Sequence, residues 1–264
     1  MNPLVRRLPA LWVFLWFAAG AAAWLSTDSS PDLPRVLAVP SWSHPLGCDA
    51  FGRDLVLAVL RSAAVSSMFS LLAVAGSISL ALGFGVSLAL AAPRVAALGS
   101  SVLAALLATP SLLLALAWAA VRGPGWGTLA GSLVIGMVPG FTRLIQVRAR
   151  ELRLEDYVVA AWACGATPVR IGARHLLPGL LSLCAVKTPN LFAQALLAEA
   201  TLSFLGVGAP IGSESWGSLL AQGQDYLIEA PHIALSAGVP LVLTVLSLQA
   251  LAARLAARRN NDVL

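Results

Sequence analysis

Residues 63–92 read AAVSSMFSLLAVAGSISLALGFGVSLALAA and contain no charged side chain. A membrane-spanning helix needs about 20 mostly apolar residues, because the hydrocarbon layer is about 30 Å thick and an α-helix rises about 1.5 Å per residue. The stretch exceeds that length and contains none of the charged residues that are costly in lipid. It therefore predicts a membrane helix, and the rest of the chain is interpreted around it.

The composition of the whole chain supports a membrane protein. Among 264 residues, 58% are hydrophobic and 11% are charged, whereas soluble domains carry about 25% charged residues. A soluble domain must present a polar exterior, so secreted scaffolds, disordered chains and cytosolic enzymes are excluded. The net charge of +5 does not indicate a nucleic-acid partner, because the 16 arginines are dispersed between apolar blocks.

Further apolar stretches bring the predicted number of membrane helices to about six, in an all-α fold. The first stretch could instead be a cleaved signal peptide, but its length favours a retained anchor. The third contains Pro110, which we expect to kink the helix. The fourth is short and spans only if the helix continues beyond Thr142. The six stretches are residues 8–25, 63–92, 95–121, 129–141, 176–207 and 233–251.

Arginine placement predicts the orientation of the chain. With the N-terminus inside, 12 arginines fall on the inner side and four on the outer side, so both termini are predicted to be cytoplasmic. We divide the chain into an anchor with an outer segment (residues 1–62), a transmembrane core (63–253) with an inner loop (142–178), and a basic tail (254–264).

The sequence lacks the motifs of the common catalytic sites. Its one lysine, Lys187, has no glycine before it, so a GxxxxGK[ST] phosphate loop is impossible. There is no HExxH or GxSxG motif, and the three cysteines form no CxxC pair. We therefore predict no catalytic residue, no metal site and no enzyme activity.

The inner loop carries signals for two short helices joined by a turn. Asp156 favours a helix start, where the helix dipole is positive. Gly165 suits the left-handed residue that closes a helix. Thr167 then caps a second helix, which we expect to end at Pro178. The alternative is a solvated, arginine-rich loop that merely satisfies the positive-inside rule.

Four stretches of this sequence resemble a known family. Ala160, Ala161, Gly165 and the Leu-Pro pair at 177–178 are similar to the EAA loop of bacterial ABC-importer permeases, although Val159 replaces the glutamate. Residues 44–54, HPLGCDAFGRD, resemble the HPLGTDxxGRD signature of the dipeptide, oligopeptide and nickel branch. Residues 199–208, EATLSFLGVG, are similar to its ExxLSFLGLG stretch, and a Ser-Trp-Gly run at 215–217 follows.

The resemblance implies a type I importer permease fold in which the inner loop is a coupling helix. By this resemblance, the residues that dock to the ATP-binding subunit are Asp156, Tyr157, Ala160, Ala161, Gly165, Ala166, Arg170 and Arg174. The periplasmic signature consists of His44, Gly47, Asp49, Gly52, Arg53 and Asp54. The periplasmic turn consists of Glu199, Ser203, Phe204, Gly206, Gly208 and Trp216.

Several roles stay open at this point. The signature is either a self-contained loop, with an ion-pair cluster of Asp49, Arg53 and Asp54, or a contact for a docked binding protein. Trp216 and the acidic residues around it either line the surface that docks the binding protein, or form a solvated rim in which the tryptophan lies at the membrane interface. Lys187 and Glu199 should face protein or water, since a charge facing lipid is costly.

The implied function is that of one permease subunit of an ATP-driven importer in the bacterial inner membrane. Its partners would be a second similar permease, two ATP-binding subunits, an extracytoplasmic solute-binding protein and the lipid bilayer. The chain itself would hold no cofactor, because ATP and Mg²⁺ would bind the partner subunits. The implied cargo is a short peptide, with nickel or a metal chelate as the alternative. A stand-alone secondary transporter and a membrane scaffold are less well supported.

Overall fold

The computed structural model of the chain describes residues 3–24, 32–208, 210 and 212–261. Residues 25–31 of the predicted outer segment and residues 262–264 of the predicted tail lie outside this description. Within the described ranges the chain is helical, with one isolated β-bridge between Cys48 and Asp54. The α-helices are α1 (Pro3–Trp24), α2 (Leu55–Leu90), α3 (Pro93–Ala108), α4 (Ser111–Arg122), α5 (Trp126–Leu152), α6 (Asp156–Ala163), α7 (Pro168–Arg170), α8 (Leu177–Phe204), α9 (Trp216–Gln224) and α10 (Pro231–Asn261).

Four of the described helices are long and apolar enough to cross a membrane: Leu55–Leu90, Trp126–Leu152, Pro168–Phe204 and Pro231–Arg258. The pair α3–α4 provides a fifth if the two helices together form one span. Helix α1 contains a shorter apolar stretch, Leu11–Gly20. The prediction of an all-α membrane protein is confirmed, and the count of six remains a prediction.

The third predicted span is broken instead of kinked. Thr109 adopts an extended conformation, and α3 and α4 meet at an angle of 86°. A residue that precedes proline is driven out of the α-helical region by contact with the proline ring. Pro110 therefore follows the end of α3 and is the N-cap residue of α4, so the predicted stretch 95–121 has an 86° break where a kink was expected.

The fourth predicted span continues beyond Thr142, as its length requires. Helix α5 runs without a break through Pro139 to Leu152. Ile145 and Gln146 of α5 approach α2 at Gly85, where a Cβ atom would lie only 2.6 Å from the Ile145 side chain. Because Gly85 has no side chain, α2 and α5 can pack in direct contact at this position.

The second helix of the inner loop does not end at Pro178. A π-helical stretch, Ile171–Leu176, joins α7 to α8, so that one helix extends from Pro168 to Phe204. The Leu177 N–H donates to the Gly172 carbonyl five residues back. Pro178 lies in the first turn of α8, where its missing N–H and its ring are tolerated. The wider turn before it thus carries the helix past the proline.

Helix α2 packs against α1, α5 and α8. The Trp12 indole N–H of α1 donates to Thr244 Oγ1 of α10 at 3.2 Å. With 36 residues, α2 is about 54 Å long. Its first residue follows the signature at residues 44–54, and its last turn lies against Arg153 and Gly172, which flank α6 in the chain. The molecule therefore has a signature end and an α6 end, on opposite sides of the bundle.

Candidate functional site

Helix α6 and the turn after it have the geometry that the sequence indicated. The helix begins at Asp156 with Glu155 as its N-cap. The Ala166 N–H donates to the Ala161 carbonyl at 3.1 Å, and the Gly165 N–H donates to the Trp162 carbonyl at 2.9 Å. These two bonds form a Schellman motif, which requires a left-handed residue. Gly165 supplies it with a φ of 81°.

The next helix starts where the sequence predicted. Thr167 Oγ1 accepts a hydrogen bond from the Arg170 N–H at 3.3 Å, and Pro168 occupies the first turn. A hydroxyl N-cap of this kind stabilises a helix start by about 1 kcal/mol. The stop, cap and restart thus make a structured element and not a solvated loop.

Contacts on its inner side hold α6 against the bundle. The Val158 side chain is fully buried. The Tyr157 and His175 rings lie 6.2 Å apart, which joins α6 to the π-helical stretch. Before α6, the Arg153 guanidinium donates to the Ala89 carbonyl at the end of α2. These contacts fix α6 to the π-helical stretch and the main hydrophobic core, and the Arg153 bond joins the preceding segment to α2.

The outer side of this element is apolar and exposed. Leu154 and Val169 are each 80% exposed, and Val159 is 52% exposed. Exposed apolar residues that are rimmed by charge mark interaction sites. We call this set the α6 surface: Leu154, Asp156, Tyr157, Val159, Ala160, Ala163, Cys164, Gly165, Val169, Arg170 and Arg174, all of them exposed.

Two of the predicted docking residues are not part of the α6 surface. Ala161 and Ala166 are half-buried and pack against the main hydrophobic core. Their small size serves the approach of α6 to its own bundle. Ala160, one position earlier on the helix, is exposed, as the prediction required of both alanines.

At the signature end, Asp49 organises a compact loop. Its side chain is fully buried. Oδ1 accepts hydrogen bonds from the N–H groups of Phe51 at 2.8 Å and Arg53 at 2.9 Å. Oδ2 accepts from the Arg53 guanidinium at 2.7 Å. The same guanidinium donates to Glu214 Oε1 at 3.1 Å, across 161 residues of sequence. The loop is thus tied to the segment before α9.

Asp54 does not join this cluster, contrary to the expectation of one group of three charges. Its Oδ2 lies 3.0 Å from His44 Nδ1, and its Oδ1 caps α2 by accepting from the Val56 N–H at 2.7 Å. Arg35 donates to His44 Nε2 at 3.0 Å, so Nδ1 carries the proton that His44 gives to Asp54.

Both signature glycines are required by close approach and by backbone conformation. Gly47 has a φ of 81°, and a Cβ there would lie 2.6 Å from the Ala38 carbonyl oxygen. Gly52 has a φ of 76°, and a Cβ there would clash with the Asp32 carbonyl. A side chain at either position would be strained as well as crowded. These contacts favour the self-contained loop over a loop shaped only by a partner.

The periplasmic-turn residues lie together at the end of α8. Ser203 Oγ donates to Glu199 Oε1 at 2.7 Å, and both side chains are buried. Gly206 has a φ of 72°, which closes the helix. The Gly208 carbonyl accepts from the Gly125 N–H at 3.1 Å, which joins the turn to α5. Phe204 is partly exposed at the end of the helix.

Trp216 is a core residue and not an interfacial aromatic. It is fully buried, and its indole N–H donates to the Val59 carbonyl at 3.2 Å. Its backbone N–H donates to Ser66 Oγ at 3.2 Å. The ring meets Trp16 of α1 edge-on, with 5.8 Å between the ring centroids. Both interpretations that placed Trp216 at the surface were wrong, because α9 folds back against α2.

A cavity of about 500 Å³ lies between the α3–α4 break, α5 and α8. Lys187 lines it, together with Asn190 and Gln194. Lys187 was expected to face protein or water, with a substrate-binding role as an open alternative, and neither amide was predicted to lie beside it. Their spacing of three and seven residues from Lys187 places them on the same helical face, and this signal was available in the sequence.

Among the described residues, no group of three or more histidine, cysteine, aspartate or glutamate side chains could hold a metal ion. Asp49, Asp54 and His44 instead take part in the pairs described above.

Residues 81–261 match the family described as the binding-protein-dependent transport system inner membrane component. The chain belongs to this family. The match covers the transmembrane core from residue 81 onward, the α6 surface and the periplasmic turn, and it confirms the resemblance to ABC-importer permeases. This permease is therefore a membrane component of a transport system.

Individual relatives extend the comparison beyond the matched range. A Brucella suis protein, provisionally named a peptide transport system permease protein, is 38% identical over 234 residues, which cover 88% of this chain and 78% of the relative. The dipeptide transport system permease protein of Alkalihalophilus pseudofirmus is 35% identical over 211 residues, covering 78% and 68%. The glutathione transport system permease protein of Pectobacterium atrosepticum is 30% identical over 220 residues, covering 82% and 72%.

Proposed function

We propose that this permease is one of two membrane subunits of an ATP-driven importer, which accepts a short peptide from an extracytoplasmic binding protein. Two separate ATP-binding subunits supply the energy and hold ATP and Mg²⁺, and the permease itself has no ATPase site. The α6 end faces the cytoplasm and the signature end faces the binding protein. The arginine distribution supports this orientation.

The α6 surface carries this proposal. It combines exposed apolar side chains with two exposed arginines, and it rests on an element that buried contacts fix to the bundle. Conformational coupling between subunits requires a rigid contact, so that the motion of one partner displaces packed helices of the other. Closure of the ATP-binding subunits would thus move α6, and with it α2 and α8.

The cargo assignment rests on the relatives. Those named above are permeases of peptide, dipeptide and glutathione transport systems, and we extend peptide cargo to this chain. Nickel or a metal chelate remains the alternative cargo of the same architecture. The binding protein would make the first selection, because it presents the cargo to the permease.

Replacement of Gly165 by arginine tests the docking role. Gly165 has a φ of 81° and open space around its missing Cβ, so arginine adds bulk to the α6 surface and about 1–3 kcal/mol of backbone strain. Gly123 has a φ of 74° and equally open surroundings at the end of α4. Because ψ at Gly123 is 169°, in a region that essentially only glycine adopts, Gly123→Arg introduces at least as much strain away from α6 and serves as a stringent control.

We expect Gly165→Arg to abolish ATP-dependent uptake and co-purification of the ATP-binding subunit, while the variant still inserts into the membrane. Gly123→Arg should keep both activities. Normal uptake in Gly165→Arg would contradict the docking role. Uptake by the purified permease alone, without any ATP-binding subunit, would contradict the importer assignment itself.

A further inference from the structure

The cavity between α3, α4, α5 and α8 has features that packing alone does not require. Its volume of about 500 Å³ lies within the range of small-molecule sites, which is about 300–1,000 Å³. Most of its wall is apolar, and its polar groups come from the α3–α4 break, α5 and α8. These polar lining residues are Thr109, Ser111, Ser132, Lys187, Asn190 and Gln194.

Lys187 brings a positive charge to the middle of a membrane helix. It is the eleventh of the 28 residues of α8, and its side chain is exposed toward the cavity. Within the part of the chain that the structure describes, Lys187 forms no ion pair. An unpaired charge is costly against lipid, so intramembrane ionisable residues face cavities and mark transport paths.

The opposite wall adds further polar groups without a partner. Ser132 is 1% exposed, and its hydroxyl has no hydrogen-bond partner among the described residues. Helix α4 begins at Ser111 on the cavity wall, and Pro110 provides no side-chain cap for it. The uncapped N–H groups of a helix start attract anions. This start lies at the helix break, as do the anion-facing half-helix ends of other transporters.

These groups together favour an anion. Lys187 contributes an ammonium group, the start of α4 contributes N–H donors, and the two amides and the hydroxyls can donate as well. The described lining contains no acidic residue, histidine or cysteine. Free Ni²⁺ would meet a like charge there and none of the histidine or cysteine ligands that bind it well. A carboxylate would meet only complementary groups.

We propose that this cavity is a transit subsite for cargo that carries a carboxylate, and that Lys187 pairs with the C-terminal carboxylate of a short peptide. The subsite rests on the proposed importer function, because the cavity must open to the transport path between two permeases. It narrows the cargo to carboxylate-bearing solutes and disfavours free nickel. Asn190 and Gln194 position the carboxylate beside the ammonium group.

Transport by the complete importer in liposomes tests the pairing. The two cargoes are trialanine and trialanine amide, which differ only in the C-terminal charge. We expect the transport rate ratio of acid to amide to fall about tenfold in Lys187→Gln, since a charge-assisted hydrogen bond is lost. Lys187→Arg should keep the wild-type ratio. Because the binding protein is the same in all samples, its own preference cancels.

The outcomes separate the subsite from the function. An unchanged ratio in Lys187→Gln, with transport still ATP-dependent, overturns the subsite and leaves the importer standing. Failure of the wild-type complex to move any peptide counts against the proposed cargo.

A second measurement tests the site without transport. Asn190→Cys is introduced together with Cys164→Ser, which leaves two buried native cysteines, and it is modified with an anionic or a cationic methanethiosulfonate reagent. The quantity compared is the rate of modification by the anionic reagent divided by the rate of modification by the cationic reagent. We expect the nearby Lys187 to raise this ratio about threefold to fivefold. Lys187→Gln should remove the increase. Equal relative rates with and without the lysine charge would overturn the proposal.

Discussion

Replacement of Asp49 by asparagine should destabilise the signature end of the permease. The carboxylate is fully buried and accepts three hydrogen bonds at 2.7–2.9 Å, two from backbone N–H groups and one from Arg53 Nε, and Arg53 Nη2 lies 2.7 Å from the same oxygen. Asparagine has nearly the same shape but one acceptor oxygen fewer and no charge. The change therefore removes the negative charge and one hydrogen-bond acceptor of the side chain while its size stays nearly the same.

The size of the effect follows from burial. Removal of one partner of a buried ion pair costs about 3–5 kcal/mol, because the other charge is left uncompensated. The Arg53 side chain is 18% exposed and keeps its contact with Glu214, which lowers the cost. We expect Asp49→Asn to reduce the free energy of unfolding by about 3 kcal/mol.

Asp54→Asn provides the matched control. The Asp54 side chain is 34% exposed, so its contact with His44 is worth less than about 1 kcal/mol. Asparagine also caps helices well, so it retains the bond to the start of α2. The control therefore changes the same residue type in the same loop, with a much smaller expected loss of unfolding free energy.

The assay is equilibrium unfolding of the purified permease in mixed micelles, followed by tryptophan fluorescence. Transport per folded complex should stay at the wild-type rate in Asp49→Asn, if the signature is a self-contained loop. An unfolding free energy within 1 kcal/mol of wild type would refute the reasoning. A selective loss of binding-protein affinity at unchanged stability would favour the docking interpretation instead.

Two further predictions follow from burial and close contact. In the purified permease, a maleimide should modify Cys164, which is exposed, and leave Cys48 and Cys184, which are buried; burial also raises the pKa of the Cys48 thiol. Bound ATP-binding subunit should protect Cys164, and labelling of all three thiols in the folded chain would contradict the structure. Gly85→Leu should lower the unfolding free energy by about 1–3 kcal/mol, because its side chain overlaps α5. Gly83→Leu, with nothing within 4 Å, should stay within 0.5 kcal/mol of wild type in the same assay.

Prolines illustrate the limit of local sequence signals. Pro110 ends a helix, whereas Pro139 and Pro189 lie inside continuous helices. All three occur in apolar stretches, and all three remove an N–H group from the backbone. Whether the backbone breaks depends on the neighbouring helices that pack against the freed carbonyl groups. Hence the sequence predicted a kink where the fold has an 86° break.

The inner loop was predictable because its signals are local. Gly165 and Thr167 act on backbone groups within five residues, so their roles are encoded by the neighbouring sequence. The two sides of α6 were less predictable. Ala160 is exposed and Ala161 is half-buried, because the bundle that covers the latter is built from distant segments.

The sequence alone determined that the chain is a helical membrane protein, where its uncharged second span lies, and how the α6 turn is formed. These properties depend on apolar length and on capping within a few residues. Tertiary structure alone decided the link between Arg53 and Glu214, the burial of Trp216 and the cavity beside Lys187. Each of these joins elements that are far apart in the chain, and only packing brings them within contact distance.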